Sequence, residues 1–339
     1  MSTATNRPVN RKVVLASHPD GMVKESDFRI EDEQMGELGD GEVLIAQETI
    51  SVDAFVRTAM NATEGLHTAT PIGGVIGTLG VGRVVESNSP DLVVGDAVSG
   101  GLGAQTYIQG PAGMFMKVDD SQVPLQAYLG ALGLTTGITA YFGLLNVGQP
   151  KEGETVVVSG AAGAVGTIAA QIAKIKGCKV IGIAGGKDKC DFLVNELGLD
   201  GAVDYKNDDI DAKLKELAPG GIDVFFDNVG GEILDFVLDN LAYRGRISIC
   251  GAISQYGDQQ NVTGPSLYLR LAERYGRMEG FVVSYFAEEF PKAYAEIGQW
   301  MAEGKLVMPE TIEDGIDSFP HAMVSLFNGG NTGKMLVKL

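Results

Sequence analysis

Residues 156–166 read VVVSGAAGAVG, and their glycines carry the strongest chemical signal in the chain. Gly160, Gly163 and Gly166 recur three apart, between a β-branched run and a stretch with Ala, Ile and Gln at helical spacing. The spacing differs from the familiar G-x-G-x-x-G, but the physical demands are the same. The turn must be tight, the backbone must let a pyrophosphate approach, and the helix must sit close to its strand. N–H groups at the helix N-terminus then face negative phosphates. The strand–turn–helix setting separates this turn from an ordinary connection and points to a dinucleotide. The next strand, KVIGIA at 179–184, bears on which one. A site for an unphosphorylated ribose keeps Asp or Glu about 20 residues on, to bond the 2′-OH. Here the strand runs into Gly185 and Gly186, and Lys187 and Lys189 follow at once. Cations at a helix N-terminus oppose the dipole. A missing carboxylate with cations at hand reads as a 2′-phosphate site, hence NADP(H).

Metal chemistry finds little support. Cys178, Cys190 and Cys250 are odd in number and widely spaced, with no Cys-x-x-Cys pair, which rules out a disulfide framework and speaks against structural zinc. They read as buried small hydrophobes. His18, His67 and His321 are isolated from one another. His67, in a loop rich in Gly and Thr, reads as a surface residue and not a ligand.

These residues need elements to position them. From about residue 150, buried strand-like runs (TVVVS at 155–159, KVIGIA at 179–184, 202–205, IDVFFD at 222–227, GRISIC at 245–250, MEGFVV at 278–283) alternate with amphipathic stretches at 167–176, 187–197 and 211–217. That alternation predicts βαβ units and a parallel sheet covered on both faces. A long helix is expected at about 287–303. Before residue 125, short apolar runs at 11–16, 42–50, 80–87 and 97–99 with frequent Gly, Pro and Asp predict a compact, mostly β domain. The tail, 306–339, has strand-like texture and is expected to rejoin that first domain. Residues 121–150 contain no charge, but the apolar stretch within them, 129–145, holds four glycines and three threonines and is shorter than the roughly 20 residues a span needs, which predicts a buried helix, not a membrane span. With 339 residues the chain suits two domains, and 26 basic against 44 acidic residues give −18. That balance disfavours non-specific binding to nucleic acid or anionic membrane. No signal peptide is apparent at the polar start.

The ordered motifs resemble one family. Ser51-Val52-Asp53 with Arg57 and Met60, GVGRVVES at 80–87 with Gly95-Asp96, AAGAVG at 161–166 with QIAK at 171–174, and GCKV at 177–180 all match it. So do DYK at 204–206, DNVGG at 227–231, CGAIS at 250–254 and Gly333-Lys334. The chain is similar to the zinc-independent medium-chain dehydrogenase/reductases, and within them to the alkenal, prostaglandin and curcumin double-bond reductases. The resemblance implies an α/β fold: a Rossmann-type doubly wound parallel sheet at 128–309 that binds NADPH, plus a GroES-like, mostly β catalytic domain from 1–127 and 310–339. It also implies a homodimer, through edge pairing of the large sheet near 278–283 or the preceding segment. Zinc-dependent relatives need Gly-His-Glu where this chain has Gly77-Thr78-Leu79, so no metal is expected.

The implied roles follow residue by residue. Gly163, Ala164, Val165 and Gly166 would hold the pyrophosphate, and Lys189 and Tyr205 the 2′-phosphate, which moves weight from Lys187 to Lys189. Asn228 would bond the cofactor. Cys250, Gly251, Ala252, Ile253 and Ser254 would line the nicotinamide side. Phe281, Val282 and Val283 would offer backbone groups to the carboxamide, and Asn331 would close from the tail. The implied reaction sends hydride to the β-carbon of an α,β-unsaturated ketone or aldehyde. The Tyr256 hydroxyl and a cofactor ribose hydroxyl stabilise the enolate, and solvent supplies the proton.

Phe55, Arg57, Ala104 and Tyr256 are the expected substrate-pocket residues. The family pattern is departed from here: Ala54-Phe55 replaces Pro-Tyr, Ala104 stands where relatives often carry Trp, and 257–261 lack the usual Asn directly after the tyrosine. Tyr268, Tyr275 and Tyr285 read equally as pocket walls or as core or interface residues. Two alternatives stay open: an NADPH quinone reductase, and a non-catalytic NADPH-binding protein. The identity of the enone stays open too. The cytoplasm is the default location.

Overall fold

Valine and isoleucine hold their preferred rotamers on a pleated surface, and a strand covered on both faces needs no polar alternation. The run TVVVS meets that description. It forms a central strand of a parallel sheet, with Val156, Val157 and Val158 fully buried. The structure, a computed structural model, describes residues 7–62, 67–257 and 262–339; the predicted departure at 257–261 therefore lies, apart from Gly257, outside the described residues. The chain divides into two compact units. The first takes the chain up to Leu129 with Glu310–Asn331 and Met335–Leu339; the second is Gly130–Pro309 with Thr332–Lys334.

The first unit contains β1 (Val9–Leu15), β2 (Phe28–Gln34), β3 (Glu42–Val52), β4 (Gly80–Ser87), β5 (Ala97–Gly100), β6 (Tyr107–Pro111) and β7 (Met116–Lys117). The second contains β8 (Thr155–Ser159), β9 (Lys179–Ala184), β10 (Gly201–Asp204), β11 (Ile222–Asp227), β12 (Leu241–Ile249) and β13 (Arg277–Gly280). The tail adds β14 (Glu310–Asp314) and β15 (Lys334–Lys338). In the first unit β3 is the spine, pairing antiparallel with β4, β6 and β15, while β1 and β2 form a separate antiparallel pair. Val13, Leu15, Ile50, Val52 and Met60 pack with Phe319, Met323 and Val337. The tail is therefore not purely strand-like: Phe319–Phe327 is a helix whose buried Phe319, Ala322 and Met323 follow helical spacing.

The second unit's sheet runs β10-β9-β8-β11-β12-β13, every pair parallel. From β8 the chain moves outward to β9 and β10, then returns to β11 on the opposite side of β8. Strand order thus reverses between β8 and β11, where open α/β sheets form a ligand crevice at the strands' carboxyl ends. Helices Ala164–Ile175, Lys187–Asn195, Ile210–Leu217 and Gly231–Asp239 cover the sheet. Val157, Ile183, Phe225 and Ile247 form the core with Leu214 and Val237.

The charge-free segment folds as a buried helical rod, Leu134–Ile138, Thr139–Phe142 and Gly143–Gly148, with wide π-type turns at both ends. Its glycines permit close packing: a Cβ on Gly143 would lie 2.3 Å from Phe281 Cζ. Among the described residues no helix is long and apolar enough to cross a membrane.

Candidate active site

The glycine turn lies between β8 and the helix Ala164–Ile175. Gly160 takes φ +58, a left-handed conformation that side chains disfavour. A Cβ on Gly166 would fall 2.2 Å from the Gly160 carbonyl oxygen, so helix and turn touch backbone to backbone. Gly163 is the N-cap and has no side chain with which to cap the helix. The N–H groups of Ala164, Val165 and Gly166 have no acceptor earlier in their own helix, which leaves them for an anion. The tail braces the turn from the other side, as Gly333 N–H donates to the Ala162 carbonyl at 2.7 Å. Asn331, buried, lies two residues before that contact.

The corner beyond β9 and β10 is basic. Lys187 is exposed and paired with Asp191. Lys189 is half-buried and, among the described residues, forms no ion pair; burial, and then the charge of Lys206, hold its pKa below the usual lysine value. An anion bound here would offset the charge of Lys206 on Lys189. The Lys206 Nζ stands 6.0 Å from the centre of the Tyr205 ring, and a Cβ on Gly185 would meet Tyr205 at 2.7 Å and Lys206 at 2.9 Å. Asp204, the acid nearest this corner in sequence, is engaged by the Gly186 N–H at 2.7 Å, the Lys206 N–H at 3.0 Å and Asn207 Nδ2 at 2.7 Å. It shapes the loop, and the charge of Lys206 helps to lower its pKa; among the described residues neither Lys189 nor Lys206 has a carboxylate at ion-pair distance. Lys206 is the residue that sequence reasoning missed; its signal was the DYK triplet itself.

At the strand reversal, Asp227 is fully buried. Its Oδ1 accepts from Ser159 Oγ at 2.8 Å, Val229 N–H at 2.9 Å and Gly230 N–H at 3.0 Å, while Oδ2 has no partner. Burial pushes its carboxyl pKa up. Asn228 Nδ2 donates to the Ser159 carbonyl at 2.7 Å. The turn after β12 is stitched to this one: Cys250 and Gly251 N–H groups donate to the Asp227 carbonyl at 2.8 and 3.1 Å, and Ile253 N–H donates to Asn228 at 3.2 Å. Ser254 Oγ donates to the Val229 carbonyl at 2.6 Å.

Tyr256 follows. Its hydroxyl oxygen accepts the Ala252 N–H at 3.3 Å, so its own proton is available to another acceptor. Burial raises its pKa, which keeps the phenol protonated at neutral pH. Phe281 packs its ring against Gly143, the Val282 carbonyl accepts Tyr285 N–H at 3.0 Å, and Val283 opens the turn that follows. Of the cysteines only Cys178 is fully buried; Cys190 and Cys250 are partly exposed. Burial pushes the thiols of Cys178 and Cys190 up to about 11 and that of Cys250 to about 12, so none is a thiolate at neutral pH.

The first unit carries a pocket of about 390 Å³, lined by Phe55, His67, Thr78, the polar Thr68, Thr70 and Gln105, and a set of apolar side chains. Of the four residues expected to line the substrate pocket, only Phe55 is in its wall. Ala104 is fully buried in the core and leaves the lining to its neighbours Gly103 and Gln105. Arg57 is also buried, because its guanidinium is needed inside the fold: Nη2 and Nε donate to the Gly21 carbonyl at 2.7 and 3.2 Å, and Nη1 donates to Asn61 at 2.6 Å. Burial lowers its pKa. Conversely His67, read as a surface residue, is partly buried against the Phe55 ring. Tyr268, Tyr275 and Tyr285 are exposed, which excludes a core role.

Fold and crevice define a Rossmann-type dinucleotide-binding chain whose residues fit a 2′-phosphorylated nucleotide. Residues 11–118 match the family model described as the N-terminal domain of oxidoreductase, and 164–299 match that described as zinc-binding dehydrogenase. The 2-alkenal reductase (NADP(+)-dependent) of Nicotiana tabacum is 40% identical over 334 residues, and the NADPH-dependent curcumin reductase of Escherichia coli 38% identical over 335, each alignment covering 97% of both chains. CurA from Vibrio vulnificus, solved in complex with NADPH, superposes with a TM-score of 0.91 at 35% identity, covering 97% of this chain and 98% of its own. The chain belongs to the medium-chain dehydrogenase/reductases, in the group of alkenal, curcumin and prostaglandin double-bond reductases. Although one family model is named for zinc, among the described residues no group of three or more His, Cys, Asp or Glu is placed to hold a metal.

Proposed function

We propose that the protein is an NADPH-dependent reductase of the carbon–carbon double bond of α,β-unsaturated ketones and aldehydes. The observation that carries this reading is the basic corner after β9, where the charge of Lys206, set beside the Tyr205 ring, acts on the half-buried Lys189. It occurs in a chain whose relatives are named as NADP-dependent alkenal and curcumin reductases. Residues 163–166 would hold the pyrophosphate through helix N–H groups, and Lys189, Tyr205 and Lys206 the 2′-phosphate. Asn228, the turn 250–254, the backbone of 281–283 and Asn331 would hold the rest of the nucleotide. When bound, NADPH supplies a hydride to the β-carbon of the substrate.

Tyr256 does this chain's part of the chemistry. As the double bond is reduced, negative charge develops on the carbonyl oxygen, and a protonated phenol donates a hydrogen bond there without itself ionising. Its raised pKa and its free proton both suit that role. The α-carbon takes its proton from solvent. The body of the substrate occupies the first unit's pocket against Phe55. A homodimer and a cytoplasmic location complete the reading. The exposed edge of β13 supports the first; the absence of a membrane-crossing helix among the described residues is compatible with the second.

The test is NADPH consumption across a panel of enones, enals and quinones with product identification. A saturated ketone or aldehyde is expected. An allylic alcohol product would contradict the reaction; turnover of quinones alone would make the protein a quinone reductase. No turnover on any substrate, with NADPH still bound, would make it a binding protein.

A further inference from the structure

Two polar groups in the first unit's pocket have hydrogen-bonding capacity that the reduction itself does not use. Thr78 is 3% exposed and lines the pocket, and its hydroxyl has no partner. The second group is His67. The Thr58 hydroxyl donates to the Phe55 carbonyl at 2.7 Å, which uses its only proton. The same oxygen lies 2.8 Å from His67 Nδ1, so Nδ1 carries the hydrogen and donates it. The tautomer is thereby fixed, and Nε2 keeps a lone pair. The Phe55 ring, 5.0 Å away and tilted by 34°, holds the imidazole plane. Burial lowers the His67 pKa, so the ring is neutral at pH 7. Val75, Ile76, Leu79, Leu102 and Ile108 make the rest of the wall largely apolar.

We propose that His67 determines substrate specificity: its Nε2 accepts a hydrogen bond from a hydroxyl on the enone. The inference rests on the enone-reductase reading and narrows it to enones bearing a phenol or alcohol. A site built around an acceptor rejects an analogue that lacks the donor, because the acceptor is then buried unpaired. Thr58 and Phe55 are positioning residues that act through the imidazole.

A matched pair tests this: 4-(4-hydroxyphenyl)but-3-en-2-one and its methyl ether. The wild type is expected to prefer the phenol in kcat/KM by about tenfold, the scale of one buried hydrogen bond. His67→Phe keeps the ring stack, removes the acceptor and erases the preference. His67→Gln, which returns an acceptor near the Nε2 position, restores part of it. If His67→Phe does not fold, Thr58→Val removes the tether and lowers the preference instead. Equal rates for the two compounds in the wild type, or a preference that survives His67→Phe, overturn the inference and leave the reductase reading intact. If no enone is reduced, the reductase reading fails separately. Calorimetric binding of the saturated phenol and its ether to wild type and His67→Phe then decides the inference: tighter phenol binding that depends on His67 supports it, and equal binding overturns it.

Discussion

Tyr256 concentrates the chemistry of this chain in one hydroxyl. Its oxygen takes the Ala252 N–H and its proton stays free, so Tyr256→Phe removes a donor while keeping the ring. A lost oxyanion donor lowers turnover by about a hundredfold, and steady-state kinetics at saturating NADPH is expected to give that fall in kcat. The sign of the pH dependence follows from the raised pKa. The protonated phenol is the active form, so the alkaline loss of rate falls above the ordinary tyrosine value of about 10. The residual activity of Tyr256→Phe should lack this limb. Thr78 makes the complementary case. An unsatisfied buried hydroxyl is destabilising by about 1–3 kcal/mol, so Thr78→Val is expected to stabilise the fold by about 1 kcal/mol in urea titration. A loss of stability would mean that the hydroxyl is satisfied in solution.

At the scale of elements, the cofactor site is a set of loop ends fixed by parallel strands. The turn after β8 tolerates no side chain at Gly166, where a Cβ would meet backbone at 2.2 Å. Gly166→Ala must open the turn, with an expected loss of about 2 kcal/mol of stability and of NADPH affinity, measured by unfolding and fluorescence titration. The loops after β9 and β10 bring Lys189 and Lys206 together. A charge-assisted hydrogen bond is worth about 1.5–3 kcal/mol, so Lys189→Ala and Lys206→Ala should each raise the KM for NADPH about tenfold or more and leave that for NADH unchanged. Lys187, paired with Asp191 on the surface, serves as the control: Lys187→Ala should change neither. An equal effect of Lys187→Ala would mean that the corner acts only through general charge.

For the whole molecule, the open question is the edge of the large sheet. β13 is the last strand in the order, and all four of its residues are exposed. Tyr243 and Tyr275 pack at 5.5 Å with their rings tilted by 54° on the surface nearby, both more than half exposed. An uncovered edge strand with apolar neighbours invites pairing with another chain. The protein is expected to sediment as a dimer, and Met278→Lys should shift it toward monomer by bringing like charges to the paired edge. A wild-type monomer at micromolar concentration would refute pairing through β13.

Much of the second unit was legible because its signals are local. Gly160, Gly163 and Gly166 between a valine run and a helix announce the phosphate turn, and continuous apolar runs mark β8, β9 and β11 as strands buried on both faces. β2, FRIEDEQ, escaped such reading because it is acidic and mostly exposed, and only its pairing with β1 makes it a strand. The tail helix Phe319–Phe327 was hidden by its short length and by Pro320. Side-chain roles were the least legible. Arg57 sits in a family motif, yet its guanidinium is consumed by backbone carbonyls distant in sequence. Lys206 joins Lys189 only because β10 lies beside β9. His67 becomes an acceptor only because Thr58 and the Phe55 carbonyl fix its tautomer. The sequence alone determined the fold class and the kind of nucleotide, since both rest on residues adjacent in the chain. The tertiary structure decided which charges and hydroxyls remain unpaired, because hydrogen-bond satisfaction depends on groups that only folding brings within 3 Å.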